Sequence, residues 1–155
     1  MNTDPIRARD VPVAGPRSVY PEPFASRVGD RRRARLGNHY GLTQFGVNLT
    51  ELGPGAISAL FHAHEREDEF VYVVSGTPTL IVGDREHLLG PGDCCGFKAG
   101  NGLAHQLVNR TAEAVLYLEV GHRSPEERVD YPNDDLLYRK TAEGWAMTHK
   151  DGRPY

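Results

Sequence analysis

Short apolar runs, each ended after a few residues by a turn sequence, set the rhythm of the chain from residue 42 onward. This pattern predicts strands near 43–52, 58–64, 70–75, 79–82, 86–89, 94–98, 105–109 and 115–120, because side chains along a strand point alternately to its two faces. The breaks carry Gly53-Pro54-Gly55, Gly76, Gly83-Asp84, Gly90-Pro91-Gly92-Asp93, Gly100-Asn101-Gly102 and Asn109-Arg110, residue types that supply the φ values tight turns need. Such punctuation leaves little room for a capped amphipathic helix. Many short, evenly spaced strands predict an all-β sandwich or antiparallel barrel.

The flanks read differently. Residues 1–36, with Pro12, Pro16, Pro21 and Pro23 among many arginines, are expected to form an irregular extension that packs on the barrel or on a partner subunit. The barrel itself is placed at 37–122 and a C-terminal tail at 123–155. In that tail Ser124, followed by Pro125, Glu126 and Glu127, predicts a short helical turn, with the serine as N-cap and proline at the first helical position. Trp145 is expected to dock the tail.

A chain of 155 residues supports one domain with a real core. Apolar residues at 39% and charged residues at 25% put it far from the compositions that stay disordered. No stretch has the apolar length of a membrane span, and the N-terminus has no apolar signal region; the expectation is a cytoplasmic protein without a membrane partner. Cys94 and Cys95 are adjacent, so they cannot form the spaced framework of a secreted domain and are read as two small apolar residues in a strand. Eight of the 18 basic residues fall within 1–36. The cluster Arg27, Arg31, Arg32, Arg33 and Arg35 is expected to pair with acidic surface rather than with nucleic acid, since no reading motif accompanies it. P-loop, dinucleotide-fingerprint and nucleophile-elbow motifs are absent.

The residues with chemistry lie in the central region. His62 and His64 are two apart, a spacing that in a strand sends both imidazoles to one face. Glu69 opens the apolar run 70–74, where a carboxylate is costly unless a positive charge compensates it. It could equally sit in water beside Glu65, Glu67 and Asp68. His105 heads a later strand that Asn109 closes, and on its own it reads as a structural histidine.

Taken together these residues closely resemble the cupin superfamily. Its first motif corresponds to Gly55, His62, His64, Glu69 and Gly76, with one residue more than usual after Gly55. Its second corresponds to Gly92, Lys98-Ala99-Gly100, His105 and Asn109, with Lys98 in place of the usual proline and a longer loop before His105. The resemblance implies a jelly-roll barrel, or double-stranded β-helix, holding one divalent metal ion on His62, His64, Glu69 and His105. It is closest to small single-domain bacterial cupins, some of which carry the label sugar-phosphate isomerase, and it implies a homodimer.

Imidazole and carboxylate ligands suit Mn, Fe, Co, Ni and Zn alike. Such an ion is a Lewis acid toward a small oxygen-rich metabolite, such as a sugar phosphate, hydroxy ketone or keto acid. The reaction is left open among isomerase, hydrolase, lyase and dioxygenase, against a non-catalytic cupin that binds or senses a small molecule. Glu69, Tyr117 and Glu119 are the candidate catalytic residues, Tyr117 as proton donor and Glu119 as base. Lys98, Gln44, Leu60 and Val71 are the candidate substrate contacts. Parity puts Val71 and Val73 inside with Glu69, and Phe70 and Tyr72 outside. His39, His87, His122 and His149 fall outside any ligand spacing.

Overall fold

The computed structural model describes residues 3–13, 18–141 and 143–155. Its strands are β1 (Arg31–Ala34), β2 (Phe45–Leu52), β3 (Ala63–His64), β4 (Glu69–Ser75), β5 (Thr79–Val82) and β6 (Arg85–Leu88). They continue with β7 (Cys94–Phe97), β8 (His105–Val108), β9 (Val115–His122), β10 (Arg128–Asp130), β11 (Leu137–Thr141) and β12 (Gly144–Thr148). Every strand pair is antiparallel. The order is β1-β2-β9-β4-β7 in one sheet, β6-β5-β8 in a second and β12-β11-β10-β3 in a third.

The core forms where the first two sheets face each other. Leu52, Val71, Phe97, Val115 and Tyr117 from the five-stranded sheet meet Leu80, Val82 and Leu107 from the three-stranded one. Each fully buried aliphatic side chain there contributes about 1.5–3 kcal/mol of transfer free energy. Val71 and Val73 are buried while Phe70, Tyr72 and Val74 stay exposed, so the predicted parity of β4 holds. A bulge between Val73 and Ser75 shifts the register against β9. Gly76 ends that strand at φ +82°, and a Cβ there would lie 2.8 Å from the Ala114 carbonyl oxygen, so the turn admits no side chain.

Four expectations need correction. The extension is not wholly irregular: β1 pairs with β2 along its length, Arg31 opposite Leu52 and Ala34 opposite Leu49. The segment after Ser124 is a turn at 125–126 rather than a helical turn, and Ser124 accepts only a turn bond from the Glu126 N–H, at 3.2 Å, before the tail continues into β10, β11 and β12. Within 58–64 only Ala63–His64 is strand. There side chains take the bonds a ladder would use: Arg31 donates to the Ser58 carbonyl, Gln106 to Ala59 and His62 Nδ1 to Leu60. A second core joins arm and tail, through Phe24, Leu60, Val129, Tyr131 and Leu136. Trp145 stacks on Tyr138 at 4.5 Å and stays 44% exposed, so it covers a neighbouring ring rather than docking the tail.

Candidate metal centre

Four side chains converge near the open end of the two packed sheets. Glu69 enters at the start of β4, and His105 at the start of β8. His62 lies opposite His105 through an isolated bridge, in which the His105 N–H donates to the His62 carbonyl at 2.8 Å. His64 ends β3, which β10 holds through the pairing of His64 with Val129. The longer loop before His105 is absorbed locally: Gly100 donates to the His64 carbonyl at 2.9 Å, and Asp68 accepts from the Ala99 N–H at 2.8 Å.

The donor atoms form a tight group. His62 Nε2 and His64 Nε2 are 3.1 Å apart, and His64 Nε2 and His105 Nε2 each lie 3.2 Å from Glu69 Oε2. His62 Nε2 is 3.8 Å from the same oxygen. Bonds of about 2.1 Å to a central cation put neighbouring ligand atoms about 3.0–3.4 Å apart, so this spacing fits a coordination shell. The tautomer of His62 agrees. Its Nδ1 donates to the Leu60 carbonyl at 2.8 Å, which leaves the Nε2 lone pair pointing at the cluster. Two imidazole nitrogens and a carboxylate oxygen so close together require a cation or shared protons between them. The buried His/Glu cluster is therefore compatible with a divalent metal site.

The surroundings tune each group. Burial opposes charge on Glu69, yet hydrogen bonding to His105, His62 and His64 holds its carboxyl well below the usual range. Phe97 stacks flat on His105 at 3.5 Å, and Tyr131 stacks on His62 at 6.1 Å, which fixes both rings. Beyond His64 stands Glu127, whose side chain is 1% exposed and whose Oε1 lies 3.6 Å from His64 Nδ1. Glu127 accepts from the N–H groups of Glu65 and Arg66 at 3.0 and 3.1 Å. Burial works against a charge on His64, but Glu127 and Glu69 outweigh it and push the imidazole up to about 10. No family motif contains Glu127 or Tyr131; the sequence offers only an acidic stretch in an undistinguished tail.

The cluster opens into a cavity of about 370 Å³ whose wall includes His62, His64, Glu69 and Glu119, together with Arg31, Arg33 and Arg35 from the β1 segment. Of the remaining predicted site residues, Tyr117 is fully buried beneath this wall, with its hydroxyl 3.4 Å from Glu119 Oε2. Burial and the Glu119 charge raise its pKa far above the ordinary tyrosine value. Glu119 itself accepts from Arg33 at 3.2 Å and from Asn48 at 3.0 Å, so it is an ion-pair partner rather than a waiting base. Leu60 and Val71 belong to the two hydrophobic cores. Lys98 and Gln44 are exposed, and none of these last four is on the cavity wall. His122 does reach the rim.

The Cupin domain profile matches residues 48–121. A protein from Silicibacter pomeroyi, described as a sugar phosphate isomerase from a cupin superfamily, is 45% identical with a TM-score of 0.85, over 89% of this chain and 88% of its own. This chain belongs to the cupin superfamily. A second structure, from Acidithiobacillus ferrooxidans and named for a proposed sugar phosphate isomerase activity, is 31% identical with a TM-score of 0.73, over 81% of this chain and 80% of its own. The polyketide cyclase RemF from Streptomyces resistomycificus shares the cupin's fold at 20% identity and a TM-score of 0.62, over 78% of this chain and 80% of its own; that likeness shows the fold alone. No curated protein matches this cupin. Among its described residues no helix is long and apolar enough to cross a membrane.

Proposed function

We propose that this cupin is a divalent-metal-dependent enzyme acting on a small oxygen-rich metabolite, with isomerisation of a sugar phosphate or hydroxy ketone as the leading reaction class. The reading rests on one observation: Glu69 Oε2 lies 3.2, 3.2 and 3.8 Å from the Nε2 atoms of His64, His105 and His62, beside a cavity large enough for a small metabolite that His62, His64 and Glu69 line. The name of the 45% identical relative supports the reaction class. His62, His64, Glu69 and His105 would hold the ion, which when bound supplies Lewis acidity toward a carbonyl or hydroxyl oxygen. The chain's own part is to orient. Phe97 and Tyr131 lock two imidazoles by stacking, Glu127 positions the third, and the packed sheets keep bulk water from the deep side of the cluster.

Elemental analysis of the purified protein and of His62→Ala, with metal-loaded protein incubated against a pool of aldose and ketose phosphates, tests this. Near-stoichiometric metal in the wild type, lost in the variant, with interconversion that follows the metal, is the expected result. Metal binding with no turnover of any member of the pool would replace the enzyme by a ligand-binding cupin.

A further inference from the structure

Strand β4 is apolar on both of its faces. Val71 and Val73 point into the core, yet the intervening Phe70, Tyr72 and Val74 are apolar as well and stay 42%, 40% and 40% exposed. Their neighbours on the same outward face continue the pattern. On β9, Val120 and Leu118 stand opposite Phe70 and Tyr72, and Val47 of β2 lies beyond Val120. On β7, the exposed Cys94 stands opposite Tyr72. An antiparallel sheet with one solvated face carries polar residues on that face, whereas strands apolar on both faces are those covered on both.

Part of the cover comes from the chain itself. Val11, Ala34 and Leu36 pack with Leu49, Leu116 and Leu118 at the β1 end of this face. The tail is engaged elsewhere, in the core around Leu60 and Tyr131. The stretch around Phe70, Tyr72 and Val74 is left open.

Charge and size select what covers it. None of the outward residues Val47, Phe70, Tyr72, Val74, Leu118 and Val120 is charged. A two-fold axis sets a patch against its own equivalent, so any charge in it would face its like; an uncharged apolar patch is complementary to itself and holds nothing for an acidic or basic partner. An aromatic ring exposed by two fifths leaves about 60–100 Å² open, so the whole patch presents about 300 Å² of apolar surface. That is the scale of the apolar centre of an interface that buries about 800 Å² per partner within a polar rim. Sheets stack face to face about 10 Å apart with their side chains interdigitated, which two copies of this face can do.

We propose that a second copy of the chain covers this face, forming a two-fold dimer with Phe70, Tyr72 and Val74 at its centre. Glu69 points from the opposite face of β4, so the dimer leaves the cavity beside the His/Glu cluster open. The proposal does not rest on the metal-centred reading above.

The test is sedimentation equilibrium of the full chain from about 1 to 100 μM, with and without added Zn2+. A monomer–dimer equilibrium is expected. Phe70→Glu and Tyr72→Glu should each weaken it by at least about thirtyfold, while Leu88→Glu, at an apolar side chain of the other sheet that is 74% exposed, should leave it unchanged. Near-UV circular dichroism checks the fold of each variant. Should both glutamate variants fail to fold, Val74→Lys and the wild type's methyl NMR spectrum decide: on dilution, shifts confined to Val47, Val74, Leu118 and Val120 are expected. A monomer throughout the concentration range, or a dimer whose affinity is unchanged in the folded β4 variants, overturns the proposal. A dimer weakened by Leu88→Glu instead places the contact on the other sheet and overturns it too.

Discussion

Replacing Glu127 by Gln alters one atom that no family motif points to, and it should weaken metal binding by about 10–100-fold, the range for losing the partner that orients a ligand histidine. That is about 1.4–2.7 kcal/mol. The structure locates the loss. Glu127 Oε1 faces His64 Nδ1 at 3.6 Å, and the carboxylate is fixed by the N–H groups of Glu65 and Arg66. A carboxylate there stabilises the tautomer with Nδ1 protonated, which frees Nε2 for the cluster; an amide has no charge with which to do so. One of the two backbone donors would also meet an NH2 group, at a further cost of about 1–3 kcal/mol in fold stability. The assay is competition for Zn2+ or Co2+ against a chromophoric chelator, with near-UV circular dichroism confirming the fold. Glu69→Gln, which removes a ligand outright, sets the scale. An affinity of folded Glu127→Gln within threefold of the wild type would refute the argument, and Glu127 would then be a structural acceptor for the 65–66 turn and nothing more.

Asn109→Ala should destabilise the fold by about 2–4 kcal/mol without changing metal stoichiometry, since the buried amide donates to Leu52, Gly53 and Glu113 carbonyls and accepts from Thr111; the midpoint of urea unfolding reads this, and a shift below 1 kcal/mol would contradict it. Alkaline titration at 295 nm should show Tyr20, Tyr117, Tyr131 and Tyr138 ionising late. Burial raises all four, Tyr138 to about 12. Unfolded tyrosines lose their protons near pH 10, so stability is full below that pH and falls as pH rises through the raised folded values. Ionisation of all seven tyrosines near pH 10 in the folded protein would contradict the burial of these rings.

Most of the architecture was legible because turns and alternation both report it. Apart from 58–64, the predicted central strands lie close to where Gly, Pro and Asn bracket them, and the motif spacing brought His62, Glu69 and His105 together, with His64 Nε2 3.1 Å from His62 Nε2 and 3.2 Å from Glu69 Oε2. What escaped has physical causes. The stretch at β1 has three arginines and no alternating apolar residues, so nothing local marks it as strand; it is one because β2 offers a free edge and Arg31 finds the Ser58 carbonyl. Glu127 and Tyr131 sit some sixty residues from the histidines they serve, and only the pairing of β10 with β3 reveals them. The candidate substrate contacts lie away from the cavity wall for a different reason. Parity separates inside from outside but not core from cavity, so Leu60 and Val71 went to packing, while Lys98 lies at the exposed end of β7, off the cavity wall.

The join between β3 and β10 bears on any attempt to treat the profile-matched stretch 48–121 as a portable module. Excision at those limits would retain His62, His64, Glu69 and His105 yet strip away β1 on one flank and the Glu127 carboxylate on the other. The segment that similarity delimits is thus smaller than the body that assembles. Grafts or swaps between relatives need to carry the arginine strand and the first tail strand along with the barrel.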